Sequence, residues 1–432
     1  VITANFLLLG VFIVLLALGT PIAVALGLAG AAAVAVGLDL NTVAMVGSNT
    51  YASVAKYPLI AIPLFVLTGM VFERSGVAAR LVTFAQSIVG PRRGGLAVVA
   101  TMVCLIMGGM SGSGPADAAA VATIMIPTML KAGYPREFSA SVIAASASTA
   151  ILIPPSIALI VYSILVPGVD LRALFAAGLF PGLLAGLAVI LPTIFLSRRH
   201  DFGAAEGSER PPFWPSLRGA VPGLMAPVII LGGLRSGLFT PTEAAAVAVA
   251  YGFFVGVFIY RSMRWSDAWR VLADSAETSA VILVIISLAG LFAWAGSTLG
   301  AFDHAAREIL AFSGNGTVVL GLIMVLLLVC GMILDGVSIY LITLPLLVPI
   351  ATAFGWNLTW FGVVMAMNIA IGQFTPPVAV NLIVTAKIAR VTMEATVPWI
   401  LWLVLCMGIA MLLVIMFPQI ALWLPHVLGF RI

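Results

Sequence analysis

The stretches ILIPPSIAL (residues 151–159) and QFTPPVAVN (residues 373–381) each set a proline pair inside a run that is otherwise as apolar as a membrane helix. Proline has no N–H, and its ring clashes with the carbonyl one turn back. The residue before it is pushed out of the helical region as well. Two in a row therefore end one half-helix and start another. The two pairs are related by a shift of 222 residues (376 − 154). Under the same shift Gly109-Met110 falls on Gly331-Met332, Gly114 on Gly336, Pro127 on Pro349 and Gly133 on Gly355, without a gap. Nearer the start of each half, Thr20-Pro21 matches Thr240-Pro241 at a shift of 220. The residues that punctuate backbone hold register, so the chain reads as two copies of one unit, 1–216 and 217–432.

Of the 432 residues, 62% are hydrophobic and 8% charged, against about 25% charged in a soluble domain. Apolar runs of about 20 residues recur along the chain, each long enough to cross a hydrocarbon core roughly 30 Å thick. The longest polar stretch, SRRHDFGAAEGSERPPFWPS (197–216), is too short for a soluble domain. The first run, FLLLGVFIVLLALG, lacks a basic leader and a small-residue cleavage site, so it reads as a helix and not a signal peptide. Spans are expected at 2–19, 22–38, 58–73, 138–166, 172–196, 219–234, 241–260, 277–296, 360–386 and 397–417. Two longer apolar segments, 95–130 and 317–351, have polar, glycine-containing centres, GGMSGSGPAD (108–117) and CGMILDGVS (330–338). Each reads as a re-entrant helical hairpin whose tip lies in mid-membrane.

The expected fold class is thus an all-α polytopic membrane protein of ten spans and two re-entrant helical hairpins with broken helices. With both termini outside, Arg74, Arg80, Arg92, Arg93, Lys131, Arg136, Arg198, Arg199, Arg210, Arg218, Arg261, Arg264, Arg270, Lys387 and Arg390 fall inside. Lys56, Arg172, Arg235, Arg307 and Arg431 fall outside. That asymmetry obeys the positive-inside rule. It breaks down if either hairpin is drawn as a full span. Each half then holds five spans, an odd number, so the halves enter the membrane from opposite sides. Inverted repeats around broken helices are a signature of secondary transporters, with sites near the midplane.

Broken helices in lipid are tolerable only where protein, water or a ligand satisfies the freed backbone groups. A half-helix N-terminus offers N–H donors to an anion, and a C-terminus offers carbonyls to a cation. Near the tips and breaks, the first half supplies Ser111, Ser113, Ser146, Ser148, Thr149 and Ser156. The second supplies Asp335, Ser338, Asn368, Gln373, Thr375 and Asn381. Hydroxyl and amide oxygens joined by backbone carbonyls suit a hard cation such as Na⁺. An intramembrane carboxylate is by default a functional candidate. Asp335 reads as a ligand or near-ligand, Asp117 as either a ligand or a helix-start charge, and Glu243 as a cap behind Thr240-Pro241. Cys104, Cys330 and Cys406 read as buried small apolar groups. No zinc, nucleophile-elbow, Walker or nucleic-acid motif is present in the sequence, so no enzyme machinery is expected.

The run from Ser111 to Leu165, SGSGPADAAAVATIMIPTMLKAGYPREFSASVIAASASTAILIPPSIALIVYSIL, resembles the large membrane subunit of tripartite ATP-independent periplasmic (TRAP) transporters, the DctM-like family. So does the run GMILDGVSIYLITLPLLVPIATAFGWNLTWFGVVMAMNIAIGQFTPPVAVNLIV, residues 331–384. The resemblance implies a Na⁺-driven importer of an organic acid, such as a C4-dicarboxylate or sugar acid, in the bacterial inner membrane. It implies two partners: a small four-helix membrane subunit, expected as a separate chain, and a periplasmic substrate-binding protein. It implies an elevator, in which a transport domain of 95–166 and 317–386 slides against a scaffold made of the rest. Carried over, Ser111, Gly112, Ser113, Gly114, Ser146, Ser148, Thr149, Pro154, Pro155 and Ser156 form one ion and substrate half-site. Asp335, Gly336, Ser338, Asn368, Gly372, Thr375, Pro376, Pro377 and Asn381 form the other. Na⁺ is assigned to Ser111, Ser113, Thr149, Asp335, Gly336, Asn368 and Thr375. Three residues depart from the family pattern: Asp117 where a small or neutral residue is usual, Gln373 where an aliphatic is common, and Ala379 where glycine is common. The acids Asp117 and Asp335 keep an alternative open, a stand-alone ion-coupled anion permease or cation/proton antiporter of related fold.

Overall fold

A computed structural model describes residues 2–38, 40–203, 210–430 and 432. Residues 204–209 of the polar stretch, and Arg431 of the charge count, lie outside the described residues. Among the described residues every regular element is helical. The first half runs α1 (Ile2–Ala17), α2 (Ile22–Gly37), the short α3 (Leu40–Val43) and α4 (Met45–Val54), α5 (Ala61–Arg74) and α6 (Val77–Val89). It continues with α7 (Gly95–Ser111), α8 (Gly114–Lys131), α9 (Arg136–Ser148), α10 (Ile157–Leu165) and α11 (Leu171–Arg199). The second half runs α12 (Phe213–Ser236), α13 (Pro241–Phe254), α14 (Trp265–Thr298) and α15 (Ala301–Phe312). It continues with α16 (Gly316–Ile333), α17 (Gly336–Ala353), α18 (Leu358–Gly372), α19 (Val380–Ala389), α20 (Met393–Met416) and α21 (Gln419–Val427). Both proline pairs interrupt helices as expected, between α9 and α10 and between α18 and α19, and both Pro-Pro bonds are cis.

Eight helical stretches of the described residues are long and apolar enough to cross a membrane. Two of them are α16 and α17, the arms of the second hairpin, each 18 residues and so about 27 Å long. The expected spans 2–19 and 22–38 are realised as shorter apolar helices, α1 and α2.

Three segments depart from the expected drawing. The residues between Arg74 and Arg93, read as an inside loop, contain α6. Its Val77, Ala78, Leu81, Val82 and Ala85 are buried, an apolar stripe at helical spacing, on a helix too short to span. At the corresponding place in the second half, α15 buries Ala301, Phe302 and Ala306 while Asp303, His304 and Arg307 stay exposed. The expected span 277–296 is the C-terminal part of a 34-residue helix, α14. Its first-half counterpart is split in two, α4 and α5, by a 3₁₀ turn at Tyr57–Ile60 that carries Pro58. Proline there removes a donor and ends the helix behind it.

The two halves are tied by exchange of partners: α2 packs on α14, and α5 packs on α13. Both contacts use glycine to bring backbones close, a habit of membrane helices. A Cβ on Gly30 would lie 3.2 Å from Phe292 Cα, and one on Gly252 would lie 2.8 Å from a Val71 methyl. Thr240 and Glu243 close a reciprocal cap at the start of α13: Glu243 N–H donates to Thr240 Oγ1 at 3.3 Å, and Thr240 N–H donates to Glu243 Oε2 at 2.8 Å. The capping expected of Glu243 is present.

Candidate functional site at the hairpin tips

The first tip is the turn between α7 and α8. Gly112 takes φ +60, a left-handed conformation that glycine adopts without strain. A Cβ there would sit 2.5 Å from the Pro155 carbonyl oxygen, so the tip lies directly against the first break. Two residues on, a Cβ at Gly114 would sit 2.9 Å from both Gln373 Oε1 and Asn381 Nδ2. The same tip therefore also touches the second break. On its third side it rests on α5, where a Cβ at Gly69 would lie 3.1 Å from Ser111 Cα.

The second tip, between α16 and α17, is seated in the same manner. Gly331 and Gly372 cross backbone to backbone: a Cβ on Gly372 would be 2.5 Å from Gly331 Cα. Ala379 N–H donates to the Met332 carbonyl at 2.8 Å, joining tip and break. A Cβ at Gly336 would meet Ile369 at 3.3 Å, Ile151 at 3.7 Å and Ala158 at 3.8 Å. Each tip thus touches both broken helices. Candidate residues from the two halves, more than 200 positions apart in sequence, therefore meet at the tips, whereas Ser146 faces Thr101 and Asn368 faces Met324, further back along α7 and α16.

The hydroxyls of the cluster are mostly bound to backbone. Ser148 Oγ donates to Ala145 O at 2.7 Å, Thr149 Oγ1 to Ser146 O at 2.6 Å, and Thr375 Oγ1 to Ile371 O at 2.6 Å. Ser146 Oγ donates to Val142 O at 2.7 Å and lies 2.8 Å from Thr101 Oγ1. A hydroxyl that donates its hydrogen still has two acceptor lone pairs, so these oxygens remain available to a cation. Ser156 caps α10 by accepting from Leu159 N–H at 3.4 Å. The same role in the second half belongs to no side chain: α19 starts at Ala379, in a left-handed conformation (φ +53), with no side-chain cap. The break around Pro154-Pro155 is wholly buried, whereas Thr375, Pro376 and Val378 are half-buried and Pro377 is exposed.

The two acids of the tips bond close to home. Asp335 is the N-cap of α17, accepting from Val337 N–H at 3.0 Å, from Ser338 N–H at 3.2 Å and from the Ser338 hydroxyl. Its charge is directed at its own helix start. Asp117 lies in the first turn of α8 but caps no N–H; instead Ser111 Oγ donates to its Oδ1 at 2.7 Å. Asn368 Nδ2 donates to Met324 O at 2.8 Å, and Asn381 Nδ2 reaches Gln373 Oε1 at 3.4 Å. Three acceptor oxygens among these residues are buried without a partner: Asp117 Oδ2, Asn368 Oδ1 and Asn381 Oδ1. Sequence reasoning missed Gly69, whose closeness to Ser111 leaves no trace in either segment. It noted Gly331 only as a repeat of Gly109.

Two hairpins converging on two broken helices, in a chain of apolar helices, describe a multi-pass membrane transporter. The family described as "Tripartite ATP-independent periplasmic transporter, DctM component" matches residues 9–420. The C4-dicarboxylate TRAP transporter large permease protein DctM of Pseudomonas aeruginosa is 37% identical over 408 residues, covering 94% of each chain. The isethionate TRAP transporter permease protein DctMQ of Oleidesulfovibrio alaskensis is 33% identical over 419 residues, covering 96% of this chain and 65% of that one. Among solved structures, the Alcanivorax borkumensis YdaH transporter superposes with a TM-score of 0.62 over 97% of this chain and 99% of its own, at 16% identity, a likeness of fold. The chain belongs to the DctM family: it is the large permease component of a TRAP transporter, and not an enzyme.

Proposed function

We propose that this permease imports an organic acid across the bacterial inner membrane, driven by Na⁺, with a periplasmic substrate-binding protein delivering the substrate and a small four-helix membrane subunit completing the complex. The observation that carries the reading is the convergence of both tips on both breaks, with unpartnered acceptor oxygens on Asp117 and Asn381 beside the first tip and on Asn368 further along α18. Unpartnered buried acceptors are rare in a finished fold, and a hard monovalent cation is a ligand that hydroxyl, amide and carboxylate oxygens fit. Ser111, Ser113, Thr149, Asp335, Gly336, Asn368 and Thr375 are the residues proposed to surround it. The acid is proposed to meet the second break: α19 begins without a side-chain cap beside the half-buried Val378 and exposed Pro377. Ala379 N–H is taken by Met332 O and Asn381 N–H by Gln373 O, so the acid would meet the remaining donors of this first turn, Val380 and Leu382, at the positive end of the helix.

In this reading residues 1–216 and 217–432 are inverted repeats with both termini outside. Segments 95–166 and 317–386 move as one body against a scaffold made of the rest of the chain. The named substrates of the two relatives, a C4-dicarboxylate and isethionate, share an anionic head. The stretch of DctMQ that this chain does not cover leaves room for the small subunit. The test is uptake into proteoliposomes holding this chain and its small subunit, with the binding protein outside and a panel of labelled organic acids. Uptake that requires both an inward Na⁺ gradient and the binding protein supports the proposal. Uptake indifferent to the binding protein makes the chain a stand-alone permease, and uptake indifferent to Na⁺ removes the coupling ion.

A further inference from the structure

The sequence leaves Asp117 open between ligand and helix-start charge, and the family resemblance gives it no role, yet it is the more completely enclosed of the two tip acids. Its side chain is 0% exposed. The ion pairs of the described residues are Arg74–Asp274, Arg93–Asp201 and Arg172–Asp170, and Asp117 is in none of them. The ionisable groups whose influence reaches it are Glu73 of α5 and the Cys104 thiol of α7, and neither is a cation. One carboxylate oxygen takes the Ser111 hydrogen at 2.7 Å, and the other is buried with no partner. A buried carboxylate with no compensating charge is costly.

Ser111 is held from two directions. It donates to Asp117 and accepts from Ser113 N–H at 3.2 Å. A hydroxyl oxygen has two lone pairs, so one is left, with its orientation fixed by the acid and by the backbone. Groups behind a metal ligand that fix its direction and raise its basicity are part of the metal site.

We propose that Asp117 is the counter-charge and positioning residue of a monovalent cation site at the first hairpin tip, acting through Ser111 and lending its unpartnered oxygen to the same cation. The inference rests on the Na⁺ reading above and deepens it. It accounts for a carboxyl group enclosed beside the first tip with one oxygen unpartnered.

The experiment is thermal denaturation of the purified full chain in detergent, titrated with NaCl against choline chloride and KCl, so it needs neither substrate nor transport. The wild-type melting temperature should rise saturably with Na⁺. Asp117→Asn keeps the shape and the acceptor for Ser111 and removes the charge. It should raise the half-saturating Na⁺ concentration roughly ten- to hundredfold, the usual loss for a group behind a metal ligand. In choline it should melt no lower than wild type, because no cation is then present to be balanced. Ser111→Ala should weaken Na⁺ in the same way, and the double variant should lose little more than either alone. Ser111→Ala carries the test if Asp117→Asn does not fold. Unchanged half-saturation in both variants, or a loss of stability by Asp117→Asn in choline that matches its loss in Na⁺, overturns the proposal and leaves the coupling ion standing. A wild type that Na⁺ does not stabilise removes the coupling ion itself, and this inference with it.

Discussion

Gly372→Ala tests the backbone crossing that seats the second tip. The alanine Cβ would stand 2.5 Å from Gly331 Cα and 2.6 Å from Gly331 C. Ordinary contact begins at 3.4 Å, so α16 and α18 must separate by 0.9 Å (3.4 − 2.5) at this point. Both obstacles are backbone atoms and cannot rotate aside. Overpacking of this kind costs about 1–3 kcal/mol. The control is Gly321→Ala on α16, where nothing lies within 4 Å and the residue is exposed. There alanine should stabilise by up to about 1 kcal/mol, its helix preference over glycine. The two substitutions are chemically identical and should have opposite signs in a denaturation assay of the purified protein in one detergent. The contact also holds the 2.8 Å bond from Ala379 N–H to Met332 O, so exchange of the Ala379 amide should quicken in Gly372→Ala alone. Equal stability of the two variants, with equal Ala379 exchange, would refute the claim that the tip is seated by close backbone approach.

Two further outcomes follow from single contacts. Thr240→Ala removes the hydroxyl that accepts from Glu243 N–H; loss of such a cap costs about 1 kcal/mol, and amide exchange should rise in the first turn of α13 and not in α14. Asp170 caps α11, where burial opposes its charge but is outweighed by the Arg172 side chain and the backbone donors, leaving its pKa below the usual carboxylate value. A depressed folded pKa contributes stability that is present above the unfolded value, about 3.9, and is lost as pH falls through the folded one. Asp170→Asn should therefore flatten the acid limb of a melting-temperature profile, and an unchanged limb would remove this assignment.

What the sequence makes legible is what the backbone cannot avoid. A proline pair interrupts a helix in any surroundings, so both breaks can be placed to within a residue or two. The glycine-containing centres 108–117 and 330–338 likewise each hold a turn between two helices, at 112–113 and 334–335. Helices α6 and α15 were hidden because each is too short to span, and a helix of 13 or 12 residues with one apolar face, set between charged stretches, is easily taken for part of a loop. Only the surface it covers distinguishes them. The long reach of α14 was hidden for a related reason: its N-terminal turns carry Asp267, Arg270 and Asp274, which break an apolar run without breaking a helix. Within the site, the candidate hydroxyls could be named but not their partners. Asp117 follows the tip at a position where helix starts favour acids, and nothing local says that its side chain turns back six residues to Ser111. Gly69 is beyond reach of any sequence argument, because its role is set by what lies opposite.

The two halves share their punctuation but not their surroundings, and the difference lies at the breaks. At the first, Ser156 satisfies the start of α10, and every residue from Ile151 to Ile160 is buried. A shift of 222 puts Val378 where Ser156 stands and Ala379 where Ile157 stands. Valine has no hydroxyl to cap with, and α19 has no side-chain cap. Ala379 instead adopts φ +53, a conformation that costs an L-residue roughly 1–2 kcal/mol, and its N–H is tied to the opposite hairpin at Met332. One copy of the unit thus caps the helix after its break with a serine, while the other bridges its break from Asn381 to Gln373 and ties it to a tip through Ala379. Strained backbone persists only where its surroundings enforce it. The second break is therefore the place where a change in hairpin position is felt first.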